Sequence, residues 1–382
     1  MSSQDKRRSL SEFAELDWDF SGESGDDGFA RFHWHPARFI PQLPAITIAA
    51  LSDLGERVLD PFCGSGTTLV EARLRGRHVL GIDTNPVATM MTAAKIAPFE
   101  QESFKAYVSE VLQAVDRALG GFGAQLDGIG DDTPQLEEQR RWYHERTLAE
   151  LATIWRVIET SDSCYRLAAS ASFSAVLRSV CSQAKHWGWI CDNVRPKEFT
   201  YKDAVAAFAG KLQEYGHSAA NLSANMLGNA DVEVKQDRCA EVLADYPTAS
   251  FDLAVTSPPY FGVTDYAKAQ RLSYLWFGFP LEAARLSEAG ARSKRRRLTA
   301  RAEFLQDMED SFIQIARVLR PGAFCVLVIG ESPARDTHLQ ELEEVVESCG
   351  LHIEERIDRR FPTQRGIVAT LKSERLVVCC RE

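Results

Sequence analysis

Two short stretches hold residue types at spacings that could do chemistry. The first is Arg57–Thr68, RVLDPFCGSGTT. Val58 and Leu59 read as the end of a buried strand, and Asp60-Pro61-Phe62 as the exit from a sheet. Gly64 and Gly66 let the backbone bend sharply and let a ligand lie against it. Thr67 or Thr68 can cap a helix that runs Leu69–Arg75. A P-loop needs a lysine after its last glycine; Thr67 follows Gly66 instead, which argues against one. Asp83 ends a second apolar strand, Arg77–Asp83, about 20 residues past the turn, where a carboxylate can accept both hydroxyls of a ribose. Helix capping ahead of Asn85-Pro86 is the alternative role for it. The second stretch is Phe251–Tyr260, FDLAVTSPPY: another buried strand, then Ser257-Pro258-Pro259-Tyr260. Open α/β sheets bind ligands at the carboxyl ends of their strands, where both stretches would lie.

Together the two stretches resemble the S-adenosylmethionine (SAM)-dependent DNA amino-methyltransferase family (cytosine-N4 / adenine-N6), whose members move a methyl group to an exocyclic nitrogen of a nucleobase. DPFCGSGTT is similar to that family's cofactor motif and TSPPY to its catalytic motif. The resemblance covers about residues 31–97 and 230–382. It implies an α/β fold, a seven-stranded Rossmann-like SAM-methyltransferase sheet with a helical insert, and S-adenosyl-L-methionine as cofactor. The cofactor residues it implies are Asp60, Phe62, Gly64, Ser65, Gly66 and Thr67 in the turn, with Asp83 beyond it. HPARFIP resembles the segment that closes over the methionine end of SAM, which adds His35, Arg38 and Phe39. A cation such as Arg38 suits the SAM carboxylate. Asp237, at the end of a strand over Ala230–Asp237, stands where the family contacts the adenine amine of SAM.

The same resemblance makes Ser257, Pro258, Pro259 and Tyr260 the catalytic set. An exocyclic amine is a poor nucleophile because its lone pair is delocalised into the ring. Two acceptors aimed at its hydrogens, the Ser257 hydroxyl and the Pro258 carbonyl, would redirect that lone pair. The two prolines stiffen the turn before substrate arrives, and Tyr260 would give the base an aromatic face. In a duplex the base must be flipped out; single-stranded DNA needs no such step. In this family Ser-Pro-Pro-Tyr accompanies cytosine N4 more often than adenine N6, so sequence-specific cytosine-N4 modification of DNA is the leading expectation. Adenine-N6 methylation, an RNA base methyltransferase and an idle SAM- or DNA-binding regulator stay open beside it. Cys63 reads as packing, since a C5-cytosine enzyme would need its cysteine beside the second turn.

Other elements must hold these loops in place. Residues 1–30 are polar and Gly/Ser-rich and read as a flexible arm. Pro41 or Pro44 opens a helix with Ile46, Ile48, Ala49 and Leu51 on its apolar face. From 98 to 229 apolar residues recur at helical spacing, with patterns over Tyr165–Ala184 and Ala204–Leu227 and a joint at Gly120–Asp132. Within this insert Lys185, His186, Trp187, Trp189, Arg195, Lys197 and Lys202 mix cations and aromatics, suited either to nucleic acid or to plugging a core. Tyr266, Arg271 and Tyr274 follow the second turn and could touch substrate. Arg301–Leu319 reads as an amphipathic helix, Arg320-Pro321-Gly322 as a turn into a fifth strand, and His352–Arg360 with Glu374–Cys380 as a closing antiparallel pair.

The net charge of −10 does not advertise a nucleic-acid binder, so clustering matters. One basic run exists: Arg292, Lys294, Arg295, Arg296 and Arg297, with Arg301 just beyond. It is a candidate for backbone contacts, with a solvated face as the alternative. The insert and this run are the expected target-recognition parts, and a cognate restriction endonuclease a possible partner. No apolar run reaches the roughly 18 residues of a membrane span. Nine cysteines without CxxC spacing suggest a reducing cytoplasm and no zinc site.

Overall fold

The computed structural model describes residues 10–20, 28–35, 40–121, 134–183, 196–294, 296–331, 339–360 and 373–382. Seven strands form one sheet: β1 (Arg57–Asp60), β2 (His78–Asp83), β3 (Val232–Gln236), β4 (Phe251–Thr256), β5 (Leu319–Glu331), β6 (Leu351–Arg360) and β7 (Ser373–Arg381). Their order is β3-β2-β1-β4-β5-β7-β6. The first five run parallel, and β7 pairs antiparallel with both β5 and β6. Side chains alternate between the faces, as a strand's period of two requires. Leu59, Leu80, Ala254 and Leu327 pack with Phe304 and Phe312 on one face. Val58, Val79, Leu253 and Val326 pack with Leu43, Ile48 and Leu69 on the other. A central strand buried on both faces is mostly apolar, as β4 is; all six of its positions are buried, and its two polar residues, Asp252 and Thr256, are hydrogen-bonded. Chain order reverses between β1 and β4, and such a switch point opens a crevice at the strand ends.

Several sequence expectations change here. The N-terminal arm is not wholly loose: residues 10–14 are helical, and Leu10, Phe13 and Trp18 are buried in the same core as Leu43 and Ile48. Three large apolar side chains outweigh the polar composition around them. The helix after Pro41 runs Gln42–Leu51 and buries Leu43, Pro44, Ala45, Thr47, Ile48 and Leu51, while Ala49 is exposed. Thr67 and Thr68 do not cap the next helix, Thr67–Leu74; they are inside it, and Gly66, with φ of 79°, is its cap. Arg320-Pro321-Gly322 lies within β5, where pairing with β4 skips from Phe251↔Leu319 to Leu253↔Phe324.

The insert forms helices Gln101–Gly121, Glu145–Glu159, Arg166–Val180 and Ala204–Asn225, with a short helix Pro134–Gln139. Its core includes Phe29 and Phe32 from the N-terminal segment, Ala94 from the helix after β2, and Leu272 and Trp276 from beyond the Ser-Pro-Pro-Tyr turn. A buried chain of hydrogen bonds joins the same parts: His33 Nε2 to Ser174 Oγ at 2.8 Å and Ser174 Oγ to Ser273 Oγ at 2.7 Å. Burial pushes the His33 imidazole down to about 3, so it is neutral in this network. The Gly120–Asp132 joint lies mostly outside the described residues, as do Lys185, His186, Trp187, Trp189 and Arg195. No helix among the described residues is long and apolar enough to cross a membrane.

Candidate active site

Because β1 and β4 are neighbours, the glycine turn and the Ser-Pro-Pro-Tyr turn leave the sheet side by side. A buried hydrogen bond joins them at the root: the Thr256 hydroxyl donates to Asp60 Oδ1 at 2.6 Å, across 196 positions of sequence. A further donor to Asp60 Oδ1 is the Phe62 N–H at 3.3 Å, which shapes the strand exit. Burial raises the Asp60 carboxyl to about 6, with the Thr256 hydroxyl pulling the other way. Asp60 therefore holds the two turns together from beneath and does not line the cleft.

The turn itself is fixed by Asp83. Its Oδ2 accepts the Gly64 N–H and its Oδ1 the Asn85 N–H, both at 2.8 Å. Burial raises its carboxyl, opposed by these backbone donors. Asp83 thus braces the glycine turn and the start of the next helix while its side chain lines the cleft. Asn85 performs the capping, accepting from the Val87 and Ala88 N–H groups. Gly66 is obligatory in this arrangement, since a Cβ there would meet Thr92 Cγ2 at 2.6 Å. The Thr92 hydroxyl donates to the Gly64 carbonyl at 2.9 Å.

Between the turns lies a cleft of about 1180 Å³, open solvent at its mouth included. Of the residues singled out from sequence, His35, Phe62, Gly64, Ser65, Thr67, Asp83, Asp237, Ser257 and Pro259 line it. Gly66, Pro258 and Tyr260 sit behind it, and Arg38 and Phe39 lie outside the described residues. Asp237 follows β3, where its carboxylate accepts the Arg238 N–H. The His35 ring stacks on Tyr266 with centroids 5.8 Å apart, and its Cε1 would lie 3.3 Å from a Cβ on Gly64. His35 and Tyr266 thereby roof the glycine turn.

The expectation of Tyr260 as an open stacking face is not met. Its ring is 7% exposed and belongs to the core that includes Leu59 and Ala254. Its hydroxyl is instead the feature that faces the turn. Tyr260 donates its single hydrogen to the Val328 carbonyl at 3.3 Å. Ser257 Oγ and the Tyr260 oxygen lie 2.8 Å apart, a contact in which either hydroxyl can donate; with the Tyr260 hydrogen on Val328, Ser257 is the donor. In that arrangement no described residue donates to the Ser257 oxygen, which can then act as an acceptor.

Glu288 carries no local signal in sequence, yet it lines the cleft. Its two oxygens accept the Tyr266 N–H at 2.6 Å and the Ala267 N–H at 3.2 Å. Burial pushes its carboxyl up to about 7, against the pull of those donors. Tyr266 and Tyr274 both line the cleft; Arg271 does not, being paired with Glu138 and lying over the Trp142 ring. Among the described lining residues Asp83, Asp237, Glu288 and Asp307 are acidic, and the single lysine or arginine, Arg238, is paired with Asp307 at 2.6 Å. Such a lining repels phosphates and suits a ligand that carries positive charge.

The basic run is partly committed to the fold. Lys294 donates to the Leu286 and Glu288 carbonyls at 2.6 and 2.8 Å, and Arg297 pairs with Glu303 at 3.0 Å. Arg301 pairs with Glu341. Arg292 and Arg296 are exposed, and Arg295 lies outside the described residues.

A family model described as DNA methylase matches residues 3–93, so the matched region begins well before the turn. The Type II methyltransferase M.MvaI of Kocuria varians is 25% identical across 66% of this chain. The Type II methyltransferase M.MjaII of Methanocaldococcus jannaschii is 22% identical across 83% of this chain. The alignments cover 58% and 75% of those relatives' own lengths. Among solved structures, a SAM-dependent methyltransferase from Methanosarcina mazei superposes with a TM-score of 0.34 at 11% identity, over 87% of this chain and 96% of that one.

Proposed function

We propose that this chain, similar to the DNA methylase family over residues 3–93 and to two Type II methyltransferases, is a SAM-dependent DNA amino-methyltransferase that transfers a methyl group to the exocyclic N4 amine of cytosine in DNA, as a sequence-specific modification enzyme. The observation that carries this reading is the shared cleft: Gly64, Asp83 and Ser257 line one space whose two turns are tied by the Thr256–Asp60 bond. The acidic lining fits S-adenosylmethionine, whose sulfonium is cationic and which has no phosphate. When bound, SAM supplies an activated methyl group.

The residues of this chain supply orientation. Asp83 and Asp237 are available to the hydroxyls and the amine of the cofactor's nucleoside. His35 and Tyr266, stacked over Gly64, shield that end from water. Ser257, held as an acceptor by Tyr260, takes one hydrogen of the target amine and draws its lone pair out of the ring. The proton leaves readily once nitrogen carries the methyl, so no strong base is needed. Serine at the first position of the tetrad favours cytosine over adenine. The insert 98–229 and the basic run contribute the contacts to DNA that select a site.

Mass spectrometry of nucleosides from plasmid DNA and total RNA of cells expressing the chain, against a Ser257→Ala control, tests this. N4-methylcytosine in DNA is the expected product. N6-methyladenine, modified RNA alone, or no modified nucleoside would each replace the proposal with a different one.

A further inference from the structure

Residues 290–299 connect two stretches that line the cleft, Ser287–Ala289 before them and Asp307–Ser311 after them. The connection is fastened at its start. The Gly262 N–H donates to the Gly290 carbonyl at 2.7 Å, the Arg292 N–H to the Thr264 carbonyl at 3.1 Å, and the Ser293 N–H to Asp265 Oδ1 at 2.8 Å. Its base is thus tied to the residues that directly follow the Ser-Pro-Pro-Tyr turn. It is fastened again at its end, where the Thr299 hydroxyl and the Arg297 guanidinium both donate to Glu303 Oε1, at 2.7 and 3.0 Å.

Between these ties Leu298 stands with its side chain fully in solvent, at 103% relative exposure. Leu286, 74% exposed, is on the helix Leu281–Ser287, whose Ala284 and Ser287 line the cleft. Arg292 and Arg296, on the same connection six and two residues before Leu298, are exposed and without an ion pair among the described residues. A chain with a net charge of −10 keeps these cations unneutralised on the connection between two cleft-lining stretches. Their charge complements a polyanion, and an apolar side chain among them has a use that a solvated face does not: entry between stacked base pairs.

Resting on the reading that this cleft methylates a base in DNA, we infer that Leu298 is a wedge that enters duplex DNA beside the target base and fills the space that base leaves, while Arg292 and Arg296 hold the neighbouring phosphates. The wedge lowers the cost of the open duplex and does not touch the reacting atoms. Single-stranded DNA needs no wedge, because its bases are already unpaired.

That difference gives the test. The full chain is supplied with labelled SAM and either intact plasmid or the same plasmid heat-denatured. Leu298→Ser is expected to lower the duplex rate roughly tenfold and leave the rate on denatured DNA unchanged; Leu298→Phe is expected to keep the duplex rate. Equal rates for Leu298→Ser and the parent on both substrates overturn the wedge, as do equal losses on both. A parent chain active on denatured DNA alone also overturns it, while leaving the methylation reading intact. A parent chain that labels neither DNA overturns that reading and the wedge with it. For Arg296→Gln, the slope of log affinity for duplex against log salt should shrink by about 1; an unchanged slope removes Arg296 from the phosphate contacts.

Discussion

Tyr260→Phe separates two roles that the Ser-Pro-Pro-Tyr turn could assign to its tyrosine. The change removes one oxygen and keeps the ring, so no cavity opens in the core that Tyr260 shares with Leu59 and Ala254. Two hydrogen bonds go, one to Val328 and one from Ser257. At about 1 kcal/mol net each, the loss of stability is about 1–2 kcal/mol. The catalytic effect follows from the Ser257 hydroxyl, which loses the acceptor that fixes its hydrogen. Free to rotate, it presents its hydrogen to the substrate amine part of the time instead of a lone pair. An effect the size of one hydrogen bond lowers kcat by roughly tenfold. SAM affinity should not change, because Tyr260 sits behind the cleft lining. The assay is steady-state methylation of DNA by the purified chain, with urea unfolding for stability and calorimetry for SAM. A Tyr260→Phe variant with parental kcat and the expected stability loss would refute the orienting role and leave the ring as core packing alone.

Three further outcomes are expected. Asp83→Ala should weaken SAM binding by at least roughly tenfold, because a carboxylate that also braces the Gly64 and Asn85 amides is lost; calorimetry with unchanged affinity counts against the site. Gly66→Ala should cost about 2–4 kcal/mol, since φ of 79° is strained for alanine and its Cβ would press on Thr92 at 2.6 Å; an unmoved urea midpoint would contradict this. The Asp60 carboxyl is raised from its ordinary 3.8 to about 6. Its contribution to stability is therefore fully present below pH 3.8 and is lost as pH rises through about 6, by about 3 kcal/mol in all. Asp60→Asn should flatten urea stability across that window, and a slope equal to the parent's would show that burial of Asp60 is not its source.

The two turns were legible because each is a local device. A run of buried residues followed by Gly64-Ser65-Gly66 or by Pro258-Pro259 restricts the backbone whatever surrounds it. The same holds for the helical spacing of Leu148, Leu151, Ile154, Trp155 and Ile158, of which all but the half-buried Trp155 are buried in the helix Glu145–Glu159. Expectations failed where a local preference met a distant partner. Thr67 is a good cap residue by type, yet Gly66 already turns the chain. The arm before residue 30 is polar by composition, yet Phe13 and Trp18 find a core that includes Leu43, Val79, Leu253 and Val326. Tyr260 follows two prolines at a rim, yet its ring is drawn inward by the hydrophobic space under β4 and β5.

Sequence alone determined the strand-turn-helix at Arg57–Thr68, the stiff turn after β4, and the run of alternating strands and helices that ends in an antiparallel pair. These depend on φ preferences and on hydrophobic period, which act over a few residues. Tertiary structure decided which groups face one another: Thr256 on Asp60, Glu288 on the Tyr266 and Ala267 amides, Tyr266 on His35, and Ser257 on Tyr260. The first of these pairings exists because β4 lies beside β1 instead of beside β3, its predecessor in the chain. Strand order is set by how whole faces are buried, so the direction of the Ser257 lone pairs and the acidity of the cleft emerge only once the sheet has closed its core.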